Sequence, residues 1–275
     1  MKIYKKRGYR GKYSVKISVR PYLKYRLKTL EYLLRYIRQN PIRKPDRYRS
    51  KILEFLRATK GKNNNLKMPG INLRECPKLA KDPELSRAFL SRILELLNIK
   101  NPAKLKDTSK INVKNYLRSY LITDYYLAKA LEAVMPKTKA VEYYKRLVDN
   151  HTRKIKKFPR IKQVSDLISK STPRNSIFAH AFNYAQFELD KGRVGTKITR
   201  CKWNEVLKEV KDRDYAYTVA CHYDFEAVKK YNSHFRLTRT QTLTQGKKHC
   251  DFVWHDRRLS RKLIHPPRSF WEKLK

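Results

Sequence analysis

Acid is what this chain lacks most: 24 Asp and Glu stand against 67 Lys and Arg in 275 residues, leaving a formal charge of +43. Cysteine is sparse. Four residues, Cys76, Cys201, Cys221 and Cys250, are too few and too unevenly spaced for a disulfide framework, so a reducing intracellular compartment is expected, either cytoplasm or organellar matrix. No run of about 18 apolar residues exists, which excludes an expected membrane span. The first 30 residues hold no acid, as in an organelle transit peptide, yet they are rich in Tyr, poor in Ser and include a strand-like alternation. Targeting stays open.

What is present is enough to fold: 40% of residues are hydrophobic, sufficient for a real core in one large domain or two small ones. A field this positive attracts phosphate backbones or anionic lipid and is weakened by salt. A lysine-rich bias of the source proteome is the plainer explanation of the same count.

Charge is concentrated at the start. Residues 1–67 carry 22 Lys and Arg against Glu31, Asp46 and Glu54, with Tyr interleaved throughout. We read 1–67 as a basic, Tyr-rich extension and 72–275 as an α+β domain with a basic tail, divided at GKNNNLKMPG, 61–70. Residues 7–12 read as a flexible arm, and Tyr13, Val15, Ile17 and Val19 alternate as a strand. Pro21 opens a helix over 21–39 with Leu23, Leu27, Leu30, Leu34 and Ile37 on one stripe. Further helices are expected at 47–58, 83–98, 112–135, 138–157, 161–170 and 174–190, punctuated by Pro136, Pro159 and Pro173. Then the period changes: 194–199 reads as a strand, 201–210 as a helix, 215–221 as extended and 223–231 as a helix. Strands at 235–243 and 248–254 form a hairpin about Gln245-Gly246. The expected fold is therefore α+β, helix-rich N-terminal and middle parts followed by a small antiparallel sheet with interspersed helices.

In that hairpin a two- or four-residue loop sets Cys250 opposite Gln241, Phe252 opposite Arg239 and Trp254 opposite Leu237; a three-residue loop shifts the pairing by one. One face then holds Cys250, Phe252, Trp254, Leu237 and Leu243 with Arg239 and Gln241. The other collects His249, Asp251 and His255 with Arg236, Thr238, Thr240 and Thr242. His249 thus points away from Cys250, and a base for that thiol must come from His222, Asp224 or His180. The same Cys250 also suits an inert core position beside Phe252 and Trp254. For a metal, Cys201, Cys221, His222, Asp224, His249 and Cys250 lack the C-x₂-C or H-x₃-H spacing of a zinc site, so neither metal nor other cofactor is expected.

KITRCKWNEVLKEV from Lys197, YTVACHYDFEAV from Tyr217 and FRLTRTQTLTQGKKHCDF from Phe235 together resemble the L-2-amino-thiazoline-4-carboxylic acid hydrolase family. The shared pattern is a strand ending in Cys201, then Cys221 three residues before Asp224. An Arg239-Thr240-x-Thr242-Leu243 strand, a turn at Gly246 and Cys250-Asp251-Phe252 follow. The likeness is clear over 194–254 and extends by general pattern from about 112. It implies opening of a small cyclic amidine to an N-carbamoyl cysteine. In that chemistry Arg239 would bind the substrate carboxylate, Thr240 and Gln241 would also contact the substrate, Cys250 would be the nucleophile, and Asp224 with His222 the acid and base. The chain departs from the family at Lys247, where an acidic residue is usual after the turn glycine, and throughout its N-terminal third.

That third has its own reading. Lys5, Lys6, Arg7, Tyr9, Arg10 and Lys12 suit phosphate neutralisation with stacking on exposed bases, as in RNA-binding arms, and 154–162 adds a second basic cluster. The partners expected are a small-molecule substrate if the chain is an enzyme, and a nucleic acid, RNA in particular, through the extension. The alternative to the enzyme is a non-catalytic RNA-binding component of a ribonucleoprotein particle such as a ribosome, built on the same fold.

Overall fold

The computed structural model describes residues 3–57, 71, 76–102, 108–156, 158–167 and 180–274. In chain order its strands are β1 (Ile3–Arg7), β2 (Ser14–Ile17), β3 (Ser109–Asn112), β4 (Phe182–Asp190), β5 (Arg193–Cys201), β6 (Phe235–Thr238) and β7 (Cys250–Asp256). The helices are α1 (Val19–Gln39), α2 (Pro45–Arg57), α3 (Pro77–Ala80), α4 (Pro83–Leu96), α5 (Val113–Lys129), α6 (Lys137–Lys154), α7 (Lys202–Leu207), α8 (Arg213–Ala220), α9 (Asp224–Tyr231) and α10 (Arg268–Lys273). Helices come first and the larger sheet later, an α+β fold.

Two compact units result: Lys12–Leu147, and Met1–Gly11 with Val148–Lys275. This division differs from the one read in the sequence. The expected boundary at 61–70 lies outside the described residues, and the chain from Lys12 onward groups with the helices that follow it.

In the unit 12–147 the stripe on α1 buries Leu23, Leu27, Leu30 and Ile37, and Ile52, Leu79, Leu85, Phe89, Leu117 and Leu121 of the other helices are buried too. Two charges enter with it. Glu31 is 3% exposed and accepts from the backbone N–H groups of Lys78 and Leu79, the otherwise unpaired donors at the start of α3. Arg26 meets Asp124 at 2.5 Å and donates to Thr123 Oγ1 at 3.0 Å, both on α5. Asp82 and Asn112 cap α4 and α5 through the N–H groups of Leu85 and Lys114. β2 and β3 form a two-stranded antiparallel sheet beside these helices.

The other unit is built on a five-stranded antiparallel sheet, in the order β1-β4-β5-β7-β6. Ile161, Val164, Tyr184, Ile198, Val228, Leu237, Cys250, Phe252 and Trp254 fill one core cluster. Phe187, Val253 and Trp271 fill another, so the tail through α10 covers sheet residues. Every residue of β7 is buried. Gly195 opposes Phe187 across the β4–β5 ladder, and a Cβ there would lie 2.3 Å from the Phe187 ring.

Several elements differ from expectation. The segment 182–190 is strand β4 instead of the end of a helix, because β1 and β5 pair with its two edges; the expected start, 174–179, lies outside the described residues. Residues 213–220 are helical, started by Asp212, whose side chain accepts from Tyr215 N–H. The helix expected at 161–170 reduces to a 3₁₀ turn at Val164–Asp166 within the described residues. Residues 3–7 are a paired strand, which takes Arg7 out of the arm expected at 7–12, and Arg10 N–H continues to the His180 carbonyl. Leu237 does oppose Trp254, but β6 stops at Thr238 and a 3₁₀ turn follows at Leu243–Gln245. The cause is local: Asp251 takes the N–H groups of Thr240 and Gln241, each at 2.9 Å, out of the ladder.

Candidate active site

Residues from separate elements of the sheet unit assemble the first cluster. Cys201 ends β5, Cys221 follows α8, Asp224 opens α9, Arg239 follows β6, and Cys250 starts β7. The Arg239 side chain is 1% exposed and its Nη1 donates to Asp224 Oδ2 at 2.7 Å. Its Nη2 donates to the Cys221 carbonyl at 2.9 Å, and the guanidinium lies 4.8–5.4 Å from the ring centroids of Tyr217, Phe225 and Phe252. Burial raises the Asp224 carboxyl, with Arg239 opposing.

The thiols are held protonated. Burial pushes Cys201 up to about 12 and Cys221 up to about 11. It raises Cys250 well above its ordinary range, and Cys221 and Cys201 lie near enough to push further the same way. Cys250 Sγ accepts from Leu243 N–H at 3.2 Å, and Cys221 Sγ lies 3.2 Å from Thr244 Oγ1. A dry, protonated thiol is a poor nucleophile until something removes its proton. His222 sits close by in sequence, but its Nε2 lies 2.9 Å from Asp149 Oδ1.

A second, polar cluster is built from alternate residues of the same strands. Asp251 Oδ1 accepts from the N–H groups of Thr240 and Gln241, and Oδ2 from the Thr240 hydroxyl and from His265 Nε2 at 3.2 Å. Burial acts to raise this carboxyl, but the hydrogen bonds from His265, Thr240 and Gln241 prevail and hold it below its ordinary range. His265 Nδ1 lies 3.0 Å from Thr238 Oγ1, which lies 2.9 Å from His255 Nε2. With His265 Nε2–H donating to Asp251 and Nδ1 accepting from the Thr238 hydroxyl, the chain runs one way and His255 Nε2–H donates to Thr238. His255 Nδ1 is then a bare acceptor, and it is buried with no hydrogen-bond partner among the described residues. Burial, with Arg193 and His265 nearby, lowers His255 to about 4.

The expected hairpin about Gln245-Gly246 is not formed, since β6 ends at Thr238, but the division of side chains is present, with Cys250, Phe252, Trp254 and Leu237 in one cluster and Asp251 and His255 joined to Thr238 and Thr240. Gln241 departs from it: its Nε2 donates to His249 Nε2 at 2.6 Å, so it shares the His249 side instead of the Cys250 side. Arg239 and Thr240 already hold Asp224 and Asp251. His180 lies in the turn before β4 and not on a helix. Of the residues proposed to touch nucleic acid, Lys5, Lys6 and Arg7 lie on β1, while Arg10 and Lys12 are exposed. The Tyr9 hydroxyl donates to Glu205 and accepts from Lys202 at 2.5 Å, with Arg200 4.8 Å from its ring, so Tyr9 anchors the start of the chain within its own unit. His265 and Trp271 escaped the sequence reading; the two rings stack at 5.5 Å, and the His265-Pro266-Pro267 run was the available sign that the tail is fixed.

Two open grooves of 570 and 720 Å³ lie in the unit 12–147, and neither includes a residue of the Cys-Asp-Arg cluster. Among the described residues no group of three or more His, Cys, Asp or Glu is arranged to hold a metal ion, and no helix is long and apolar enough to cross a membrane.

The antiparallel sheet unit carries Cys201, Cys221, Asp224, Arg239 and Cys250 in the order of the motif set. The family model for L-2-amino-thiazoline-4-carboxylic acid hydrolase matches residues 115–254, just over half of the chain, and the chain belongs to that family. No curated protein and no solved structure matches it.

Proposed function

We propose that this protein hydrolyses a small cyclic amidine bearing a carboxylate, 2-amino-thiazoline-4-carboxylate or a close relative, at the Cys250–Asp224–Arg239 cluster. The observation carrying this reading is the convergence of Cys201, Cys221, Asp224, Arg239 and Cys250 from different elements of a family member, where the Cys250 thiol and the Arg239 side chain are buried. Arg239 would take the substrate carboxylate in exchange for Asp224. Asp224, released from its cation and already raised, would accept the Cys250 proton as Sγ adds to the amidine carbon. The ring C–S bond then breaks, its sulfur taking the proton from Asp224. Water finally displaces Cys250 and leaves the N-carbamoyl thiol product. Incubating the full chain with the thiazoline and following new free thiol, with mass detection of the product, tests this. Turnover by the wild type and its loss in Cys250→Ala are expected; no turnover, or undiminished turnover by Cys250→Ala, overturns it.

A second reading is favoured by the charge of +43. The Asp224–Arg239 pair and the protonated thiols also suit a cluster that stabilises the sheet in a protein recruited to bind RNA. Co-migration of the native protein with a nuclease-sensitive particle would support it, and migration as a small species free of nucleic acid would oppose it.

A further inference from the structure

Helix α1 sorts its charges. Its acid, Glu31, is covered by α3, and Arg26 is buried against Asp124, whereas Arg20, Lys24, Lys28, Arg35 and Arg38 are exposed. Arg20, Lys24 and Lys28 follow one another at single-turn intervals, and Tyr25 beside them is 56% exposed.

The strand pair leading into this helix is arranged the same way. Val15 and Ile17 turn inward, so Lys16 points out, directly opposite Lys110 of β3, which is also exposed. Like charges facing each other destabilise a strand pair. The first turn of α1 holds no acid to match the positive end of the helix, and places Arg20 there instead. The placements of Lys16, Lys110 and Arg20 work against local stability, and they add positive charge on β2, its partner β3 and the helix α1 that follows β2. A polyanion lying across them relieves every one of these repulsions.

We propose that Lys16, Lys110, Arg20, Lys24 and Lys28 bind the phosphates of a single-stranded nucleic acid and that Tyr25 stacks on one of its bases. This rests on the nucleic-acid reading above and moves the contact from residues 5–12 to the start of the helical unit.

The test is fluorescence anisotropy of the full chain with a labelled mixed-sequence 20-nucleotide RNA, titrated with KCl. The variant Lys16→Gln/Arg20→Gln/Lys110→Gln should bind at least about tenfold more weakly, with the log–log salt slope flatter by about 2, roughly 0.7 for each phosphate contact removed. A charge-matched control, Lys247→Gln/Lys248→Gln/Lys262→Gln, should change affinity much less. Tyr25→Ala should weaken RNA binding about fivefold or more while leaving inorganic polyphosphate binding unchanged. Circular dichroism checks that each variant is folded. If the wild type ignores RNA, the nucleic-acid reading itself fails. If it binds but patch and control variants weaken equally, net charge is responsible and this surface is overturned, as the single-stranded assignment is if duplex DNA of equal length competes as well as the RNA.

Discussion

Asp224 is the carboxylate partner of Arg239, at 2.7 Å, for a guanidinium otherwise enclosed by three aromatic rings and the Cys221 carbonyl. Removing the carboxylate strands a buried cation. Asp224→Asn should therefore destabilise the protein by roughly 3 kcal/mol, at the low end for a broken buried pair because Asp224 itself is partly exposed. Asp224→Asn/Arg239→Met should recover part of that loss. Urea denaturation of the two variants beside the wild type measures both.

Acid should act through the second cluster. His255 is lowered in the folded state to about 4 from an ordinary value near 6.5, so the unfolded chain binds the extra proton between those limits. Stability is full above about pH 6.5 and falls as pH drops toward 4, by about 3 kcal/mol from this group. The depressed Asp251 carboxyl behaves in the same direction at lower pH: its contribution is complete above its ordinary value and disappears as pH falls through the folded one. Urea midpoints at pH 7, 6 and 5 should decline, and His255→Gln should flatten the decline.

Gly195→Ala tests the packing of the sheet. The added Cβ meets the Phe187 ring at 2.3 Å, and Phe187 is 1% exposed with no room to retreat. A loss of about 2 kcal/mol is expected. Combined with Phe187→Leu the change should be less than additive, because the smaller side chain frees the space; thermal melts of the single and double variants show it.

The thiols should be quiet. With Cys250 buried and its pKa well raised, iodoacetamide at pH 8 should alkylate it far more slowly in the folded protein than in 8 M urea. Peptide mapping after timed quenching reads the rate at each cysteine. Rapid labelling of Cys250 in the native protein would contradict the buried environment described for it.

What could be read in the sequence was whatever a single element decides for itself. The Leu23, Leu27, Leu30 stripe of α1 and the Leu237–Trp254 register follow from local periodicity, and both are present. The 182–190 strand does not, because its state depends on β1 at the far end of the chain, and its Phe182, Tyr184 and Phe187 suit helical spacing as well as an internal strand. For 215–221, the alternation of Tyr215, Tyr217 and Val219 outweighed the Asp212 cap that sets the helix. At the site, motif residues were legible as a set, while their pairing was not. Nothing in the spacing told that Gln241 would turn to His249, or that Tyr9 would be held by Lys202 and Glu205.

The place of β1 sets an order of events during synthesis. Ile3 leaves the ribosome before 12–147, and its partner Phe187 is added only after all of that span has been made. The helical unit is a compact unit of that span and can be complete while β1 is still waiting. β1 thus waits for a strand made much later, and its arrival covers an edge of β4 that would otherwise offer bare N–H and C=O groups to another chain.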